Sequence, residues 1–154
     1  MLPTFKFAFT LVSVALLLGA CSEKVKDTHP QQLVSKRQAL FKQMTKTLEP
    51  MGLVARERQD YVKSEFQANA VALEELSRQP WVLFAADGNY PPTRAKASVW
   101  QSPAEFKSAQ DDYLATVNQL VKVSASADLP AIRNAVDAVE KSCKSCHTTF
   151  RNER

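Results

Sequence analysis

Two thiols and an imidazole lie within five residues near the end of the chain, in the stretch "CKSCH" from Cys143 to His147. The 154-residue sequence contains only one further Cys and one further His. On a helix, positions 143, 146 and 147 are related as i, i+3 and i+4, so the three side chains leave one face. This spacing allows one planar ring system to meet both sulfurs and the imidazole.

The pattern C-x-x-C-H is the attachment signature of c-type haem, in which both thiols form thioethers and the imidazole coordinates iron. The sequence therefore predicts one covalent haem c held by Cys143 and Cys146, with His147 as the metal ligand. Three alternatives use the same residues. A redox disulfide normally begins a helix after a strand, a zinc site would need a fourth ligand such as His29, and an inert disulfide suits an exported protein.

The N-terminus has the pattern of an export signal. Lys6 is followed by an apolar run over residues 7–20, which is shorter than the roughly 20 residues that a membrane-spanning helix needs. The run ends in "LLGAC", residues 17–21, which resembles the bacterial lipobox. We expect residues 1–20 to be a lipoprotein signal peptide and residues 21–30 a polar tether lipidated at Cys21; ordinary cleavage that leaves Cys21 free is the alternative. Ser22 favours the outer membrane, on its periplasmic side, over the inner one.

Past the tether, apolar residues recur at helical spacing in four stretches. The first two run over about 31–49 and 56–78; Pro50 and Gly52 mark the end or a kink of the first, and Pro80 closes the second. Residues 81–101 form a long connection, Ser102 and Pro103 open the third helix, and Asp128 caps the fourth. With only three Gly, the chain is predicted to be all-α, an antiparallel four-helix bundle over residues 31–154.

The net charge of the chain and the distribution of its basic residues indicate which classes of partner it can bind. The formal net charge is +4, without the dense basic block or basic-aromatic stripe of nucleic-acid binders, so we expect no nucleic acid partner. Lys141, Lys144, Arg151 and Arg154 concentrate positive charge near the haem signature, where they could steer an acidic redox partner.

Together these features resemble the cytochrome c′ family and its relatives of the c-556 type. The resemblance covers the chain from Gln31 onward and includes "RQALF" at 37–41, "QPWVLF" at 79–84, "SVW" at 98–100, "EFK" at 105–107 and "CKSCHTTFR" at 143–151. It implies that Arg37 pairs with a haem propionate, which a guanidinium can grip in a bidentate manner. It also implies that Arg151 lies beside the proximal pocket, one turn beyond His147.

The resemblance places Phe41 on the open side of the iron. Low-spin relatives have a ligating Met there, whereas Phe has no lone pair to donate, so Phe41 implies five-coordinate, high-spin iron that binds nitric oxide and CO. Open five-coordinate iron permits turnover of nitric oxide or peroxide in principle, but no acid–base pair in the distal stretch supports it, so we expect binding and not enzymatic catalysis. The alternative is a low-spin electron-transfer cytochrome of the c-556 type, in which Met44 is the sixth ligand. Family members often dimerise through their first two helices, and exposed Val34 and Val54 would permit a homodimer.

Overall fold

Four long helices form an up-and-down bundle in the structure, a computed structural model that describes residues 25–126 and 128–153. They are α1 (Leu33–Ala55), α2 (Lys63–Ser77), α4 (Pro103–Ser124) and α5 (Leu129–Phe150); the short helix α3 (Ser98–Gln101) and a 3₁₀ turn (Pro80–Leu83) lie between α2 and α4. Helix α1 packs on α2 and α5, and α4 packs on α2 and α5. The predicted all-α four-helix bundle is confirmed. The predicted signal peptide and Cys21 lie outside the described residues.

Helix α1 extends past the point at which the sequence predicted its end. It continues through Pro50 to Ala55. Proline lacks the N–H that would bond to the carbonyl one turn earlier, which costs helix stability. The last turn nevertheless buries Met51 and Val54 in the core, and this apolar burial offsets the missing hydrogen bond.

Helix α2 begins at Lys63, later than the predicted start near residue 56. The intervening segment reverses the chain, and Glu57 adopts the left-handed conformation with φ of 57°. The Glu57 carboxylate lies 2.8 Å from the Arg133 guanidinium of α5. Glu57, which the sequence placed in the first turn of α2, therefore pairs with a different helix. Val62 lies just before α2 in an extended conformation, so its side chain does not join the buried face of that helix and is exposed.

The core draws apolar side chains from all four long helices. Its buried members are Met44, Met51, Val54, Phe66, Ala70, Leu73, Tyr113, Val117, Leu120, Ile132, Ala135, Val136 and Val139. Val34 and Val54 were expected to be exposed, and this expectation is wrong, since both are buried within the monomer. They therefore offer no surface for a homodimer.

The predicted tether is shorter than residues 21–30. Asp27 is buried, and its carboxylate accepts hydrogen bonds from the backbone N–H groups of Ser35, at 2.8 Å, and His29, at 3.2 Å. An acidic side chain at this position satisfies an N–H in the first turn of α1 and complements the helix dipole. The chain is consequently packed against the bundle from Asp27 onward.

The burial of Leu73 and the exposure of Val71 on α2 predict how substitutions at these positions change the free energy of unfolding. Leu73→Ala removes a side chain that is 1% exposed and should cost about 2 to 5 kcal/mol of unfolding free energy. Val71→Ala on the same helix removes an exposed side chain and should change stability by less than about 0.5 kcal/mol. Urea unfolding measures both; equal losses in the two variants would contradict this assignment of the buried face.

Candidate haem-binding site

Helix α5 positions the haem signature by continuing one inward stripe to its last turns. The stripe begins with the buried residues Ile132, Val136 and Val139 and continues with the half-buried Cys143 and the neighbouring signature residues. Cys146 and His147 are also half-buried, and both sulfurs are free thiols. The three residues thus occupy positions i, i+3 and i+4 of one continuous helix, and their roles towards haem stay predictions.

A cavity of about 580 Å³ opens along this part of α5. Its lining comprises Lys96, Glu140, Cys143, Lys144, His147, Thr148, Arg151, Asn152 and Glu153. The volume lies in the range of pockets that hold cofactors. The structure thus brings Cys143, His147 and Arg151 together around one space, whereas Cys146, Arg37 and Phe41 do not line it.

Burial sets the protonation states that attachment and coordination require. Burial, with smaller contributions from the nearby Cys146 and Glu140, raises the pKa of the Cys143 thiol to about 11, and burial also raises the pKa of the Cys146 thiol. Burial also lowers the pKa of His147, as do the positive charges of Arg151 and Arg94. Both sulfurs are therefore thiols near neutral pH, and the imidazole is neutral, which is the form that coordinates a metal. This donor set fits haem c.

The long connection between α2 and α4 fastens the end of α5. Ala95 and Arg151 form an antiparallel bridge, in which the Lys96 N–H donates to the Phe150 carbonyl at 2.9 Å and the Asn152 N–H donates to the Arg94 carbonyl at 2.8 Å. These contacts satisfy backbone groups at a helix end that would otherwise fray. The helical turn that carries His147 is consequently held from outside the helix.

Sequence reasoning missed the roles of Arg94 and Lys96. The Lys96 Nζ donates to the Thr148 carbonyl at 2.8 Å, and the Arg94 guanidinium donates to the Asn152 carbonyl. Both residues lie in a segment without periodicity, so only their basic character was visible in the sequence. Their partners are backbone carbonyls, which every residue has, so residue types in the sequence cannot indicate these contacts.

Arg37 lies on α1 and is only 3% exposed. Its guanidinium donates to the carbonyls of Leu83 and Gly88, each at 3.0 Å, and to the Thr93 hydroxyl. The same group lies 4.5 Å from the centre of the Phe84 ring, a cation–π arrangement. The buried charge is thus satisfied by the long connection; the pairing of Arg37 with a haem propionate stays a prediction.

Phe41 belongs to an aromatic cluster at the same end of the bundle. Its ring meets Trp81 and Phe84 edge-on, with centroids 6.1 Å and 6.4 Å away. The cluster continues through Phe106 to Phe150, the last residue of α5, at centroid distances of 5.0 Å and 5.2 Å. Phe41 is therefore connected to the end of α5 by successive ring contacts through Phe84 and Phe106.

Both tryptophans of the long connection have structural partners. The Trp81 Nε1–H donates to the Ser77 carbonyl at 2.6 Å, and the Trp100 Nε1–H donates to the Ala85 carbonyl at 2.8 Å. Met44, one turn after Phe41, is buried among the core side chains. Its role as an iron ligand stays a prediction.

A helical bundle with C-x-x-C-H at the end of its last helix is a c-type cytochrome of the four-helix class. The family model of cytochrome c′ matches residues 32–151, and the chain belongs to this family, whose members carry a covalently bound haem c. The chain is 28% identical over 128 residues to cytochrome c′ of Alcaligenes xylosoxydans xylosoxydans, an alignment that covers 81% of this chain and 97% of that protein. It is 30% identical over 132 residues to cytochrome c′ of Halomonas halodenitrificans, covering 80% and 98%.

Solved structures that are similar to this chain belong to the same family as these relatives. A nitric oxide complex of a variant of cytochrome c prime from Alcaligenes xylosoxidans superposes with a TM-score of 0.77 at 26% identity, covering 83% of this chain and 100% of that one. A carbon monoxide-bound variant of the same protein gives the same values.

The contacts of Arg37 predict its contribution to the bundle. Arg37→Ala removes charge-assisted hydrogen bonds to buried carbonyls and should cost about 3 kcal/mol of unfolding free energy. Arg37→Lys should recover only part of this loss, because an ammonium lacks the planar fork. Lys36→Ala, at the exposed neighbouring position, should stay within about 0.5 kcal/mol of wild type. Urea unfolding measures all three.

Limited proteolysis tests whether the lost stability comes from the long connection. Cleavage within residues 84–97 should accelerate in Arg37→Ala and stay at the wild-type rate in Lys36→Ala. Unchanged cleavage in Arg37→Ala would show that other contacts hold this segment.

Proposed function

We propose that this protein binds small neutral diatomic gases, nitric oxide and CO, at five-coordinate, high-spin haem iron. The observation that carries the proposal is the similarity to solved cytochrome c prime structures that hold nitric oxide or carbon monoxide. The haem, held by this chain's residues, would supply an iron centre that can bind a gas ligand. We propose no enzymatic turnover.

Three residues of α5 would hold the group. Cys143 and Cys146 are free thiols that can form thioethers with the haem vinyl groups. His147 is kept neutral by burial and lines the cavity, so its imidazole can coordinate the iron. Arg151 lines the same cavity beside it and keeps positive charge near the proximal side.

Phe41 supports an iron without a second protein ligand. Its side chain carries no donor atom, and its neighbours Trp81 and Phe84 are aromatic. The indole N–H groups of Trp81 and Trp100 already bond to backbone carbonyls. These side chains therefore offer bound O₂ no hydrogen bond, whereas nitric oxide and CO do not depend on one.

The second candidate function is electron transfer with Met44 as sixth ligand. Met44 lies on α1 three residues after Phe41 and is buried, so its thioether is held inside the bundle. An unchanged six-coordinate iron would suit exchange of electrons with an acidic partner near the basic residues of α5.

Optical spectra of the dithionite-reduced haem protein separate the two functions. We expect a broad, unsplit visible band that changes when CO is added, because Phe41 cannot ligate. Phe41→Met should convert this spectrum to sharp α and β bands that respond little to CO. Met44→Leu, a substitution of similar volume, should leave the wild-type spectrum and its CO response unchanged.

The opposite pattern would establish the electron-transfer function. Sharp bands in the wild type that resist CO, and that broaden in Met44→Leu, would identify Met44 as the ligand. The double variant Cys143→Ala with Cys146→Ala serves as the control for attachment, since it should lose covalent haem under denaturing conditions.

We further propose that the protein is anchored by lipid on Cys21 at the periplasmic face of a bacterial membrane, the outer membrane in preference to the inner one. The "LLGAC" stretch and the following Ser22 support this proposal. Acyl chains stabilise membrane association by about 0.8 kcal/mol for each buried CH₂ group. Among the described residues, no helix has both the length and the apolar character needed to cross a membrane.

Cell fractionation with intact-mass measurement tests the anchor. The wild-type chain should be found in the membrane fraction, with a mass that corresponds to Cys21–Arg154 plus acyl groups. Cys21→Ser should shift the protein to the soluble periplasmic fraction, because no acceptor for the lipid remains. Membrane association that survives this substitution would contradict the proposal.

A further inference from the structure

We propose that the end of the bundle that carries His147 faces the membrane and rests on phospholipid headgroups. The inference depends on the proposed anchor at Cys21 and adds an orientation, which an anchor alone does not specify. It follows from where the chain leaves the bundle, how short the connection to Cys21 is, and which side chains surround that point.

The chain leaves the bundle at a fixed place. The Asp27 carboxylate accepts hydrogen bonds from the backbone N–H groups of Ser35 and His29. The His29 Nε2 lies 3.2 Å from the Asp87 carboxylate, and its ring stacks on Tyr90 with centroids 4.8 Å apart. Residues 27–29 are therefore joined both to the start of α1 and to the long connection.

The remaining connection to the anchor is short compared with the bundle. Cys21 precedes Asp27 by six residues, so the two lie at most about 22 Å apart even if the chain is fully extended. Helix α1 has 23 residues and is about 35 Å long. A lipid on Cys21 can therefore reach the bilayer only if the end with the start of α1 lies near the headgroups.

The haem signature lies at this same end. The long connection contacts the start of α1 through Tyr90, whose hydroxyl accepts a hydrogen bond from the Val34 N–H at 3.2 Å. A few residues later it pairs with the end of α5, through the bridge between Ala95 and Arg151. The cavity beside His147 consequently lies towards the end of the bundle that the proposed tether holds near the membrane.

The surface at this end suits phospholipid headgroups. Over residues 25–36, 74–106 and 144–153, the basic side chains are Lys26, Lys36, Arg78, Arg94, Lys96, Lys144 and Arg151. The acidic ones, apart from the buried Asp27, are Glu74, Glu75, Asp87, Glu105 and Glu153, so a small basic excess remains at this end. Basic residues close to a bilayer attract headgroup phosphate.

Apolar exposure is also concentrated here. Val82 is 79% exposed and Val25 is 64% exposed, and these are the two most exposed large apolar side chains of the described residues. Both lie at the end where the tether begins. A basic surface with protruding apolar side chains fits the interface between headgroups and acyl chains.

Amine labelling of the lipidated holoprotein on phosphatidylglycerol–phosphatidylcholine vesicles tests the orientation. The chain provides matched sites: Lys36 and Lys144 lie at the proposed membrane end, whereas Lys63 and Lys122 lie at the opposite end, and all four are exposed. Mass spectrometry should show several-fold slower modification of Lys36 and Lys144 on vesicles than in the soluble Cys21→Ser protein. Lys63 and Lys122 should react equally in both forms.

The outcomes separate this inference from the anchor. Co-sedimentation with the vesicles and the acyl mass on Cys21 measure anchoring independently of labelling. Protection of Lys63 and Lys122, or equal labelling at all four sites of sedimented protein, would overturn the orientation and leave the anchor intact. Loss of sedimentation together with absence of the acyl mass would overturn the anchor, and the orientation with it.

A longer tether tests the geometric step. Insertion of about 20 Gly and Ser residues after Ser22 lengthens the flexible reach without altering any described contact. Labelling of Lys36 and Lys144 should then rise towards the rate in the soluble protein, while the protein still sediments. Complete protection despite the insertion would show that surface attraction, and not tether length, sets the orientation.

Discussion

The buried guanidinium of Arg37 organises the end of the bundle on which the rest of the structure depends. A charge removed from water is tolerated only when its hydrogen-bond donors are satisfied, and Arg37 finds its acceptors on the long connection, at Leu83 and Gly88. The connection is thereby held against α1. The same segment then pairs with the last turn of α5, so one polar interaction on the first helix fixes a loop that in turn fixes the fourth helix.

This arrangement explains how a helix end can present a metal ligand. The last carbonyls of a helix lack partners within the helix, and a terminal turn tends to fray. Here the bridge at Ala95 and the Lys96 side chain satisfy carbonyls of the final turns of α5. His147 lies within these turns, where partial burial keeps its imidazole neutral while one side remains open to the cavity.

The cavity along α5 and the aromatic cluster around Phe41 differ in chemical character. The cavity along α5 is polar, with Lys96, Lys144 and Arg151 around the imidazole. The aromatic cluster around Phe41 is apolar, and the indole N–H groups within it are bonded to the backbone. The proposed binding of neutral gases depends on this apolar cluster facing the open side of the haem, as the proposed role of Phe41 requires. The short connection to Cys21 adds a spatial constraint, because it brings this end of the molecule towards the proposed membrane.

The sequence by itself determined the helical fold and the chemistry of the attachment site. Apolar periodicity gave four helices, and the spacing of Cys143, Cys146 and His147 placed three donors on one helix face, because local geometry fixes both patterns. It did not determine where α1 ends, since burial of Met51 outweighs the bond lost at Pro50, or where α2 begins, since Glu57 pairs with a distant helix. Only the tertiary structure decided that Val34 is buried, that Asp27 ends the tether, and that Arg94 and Lys96 hold α5. These features depend on contacts with backbone groups and with residues far along the chain, which residue types and spacing do not record.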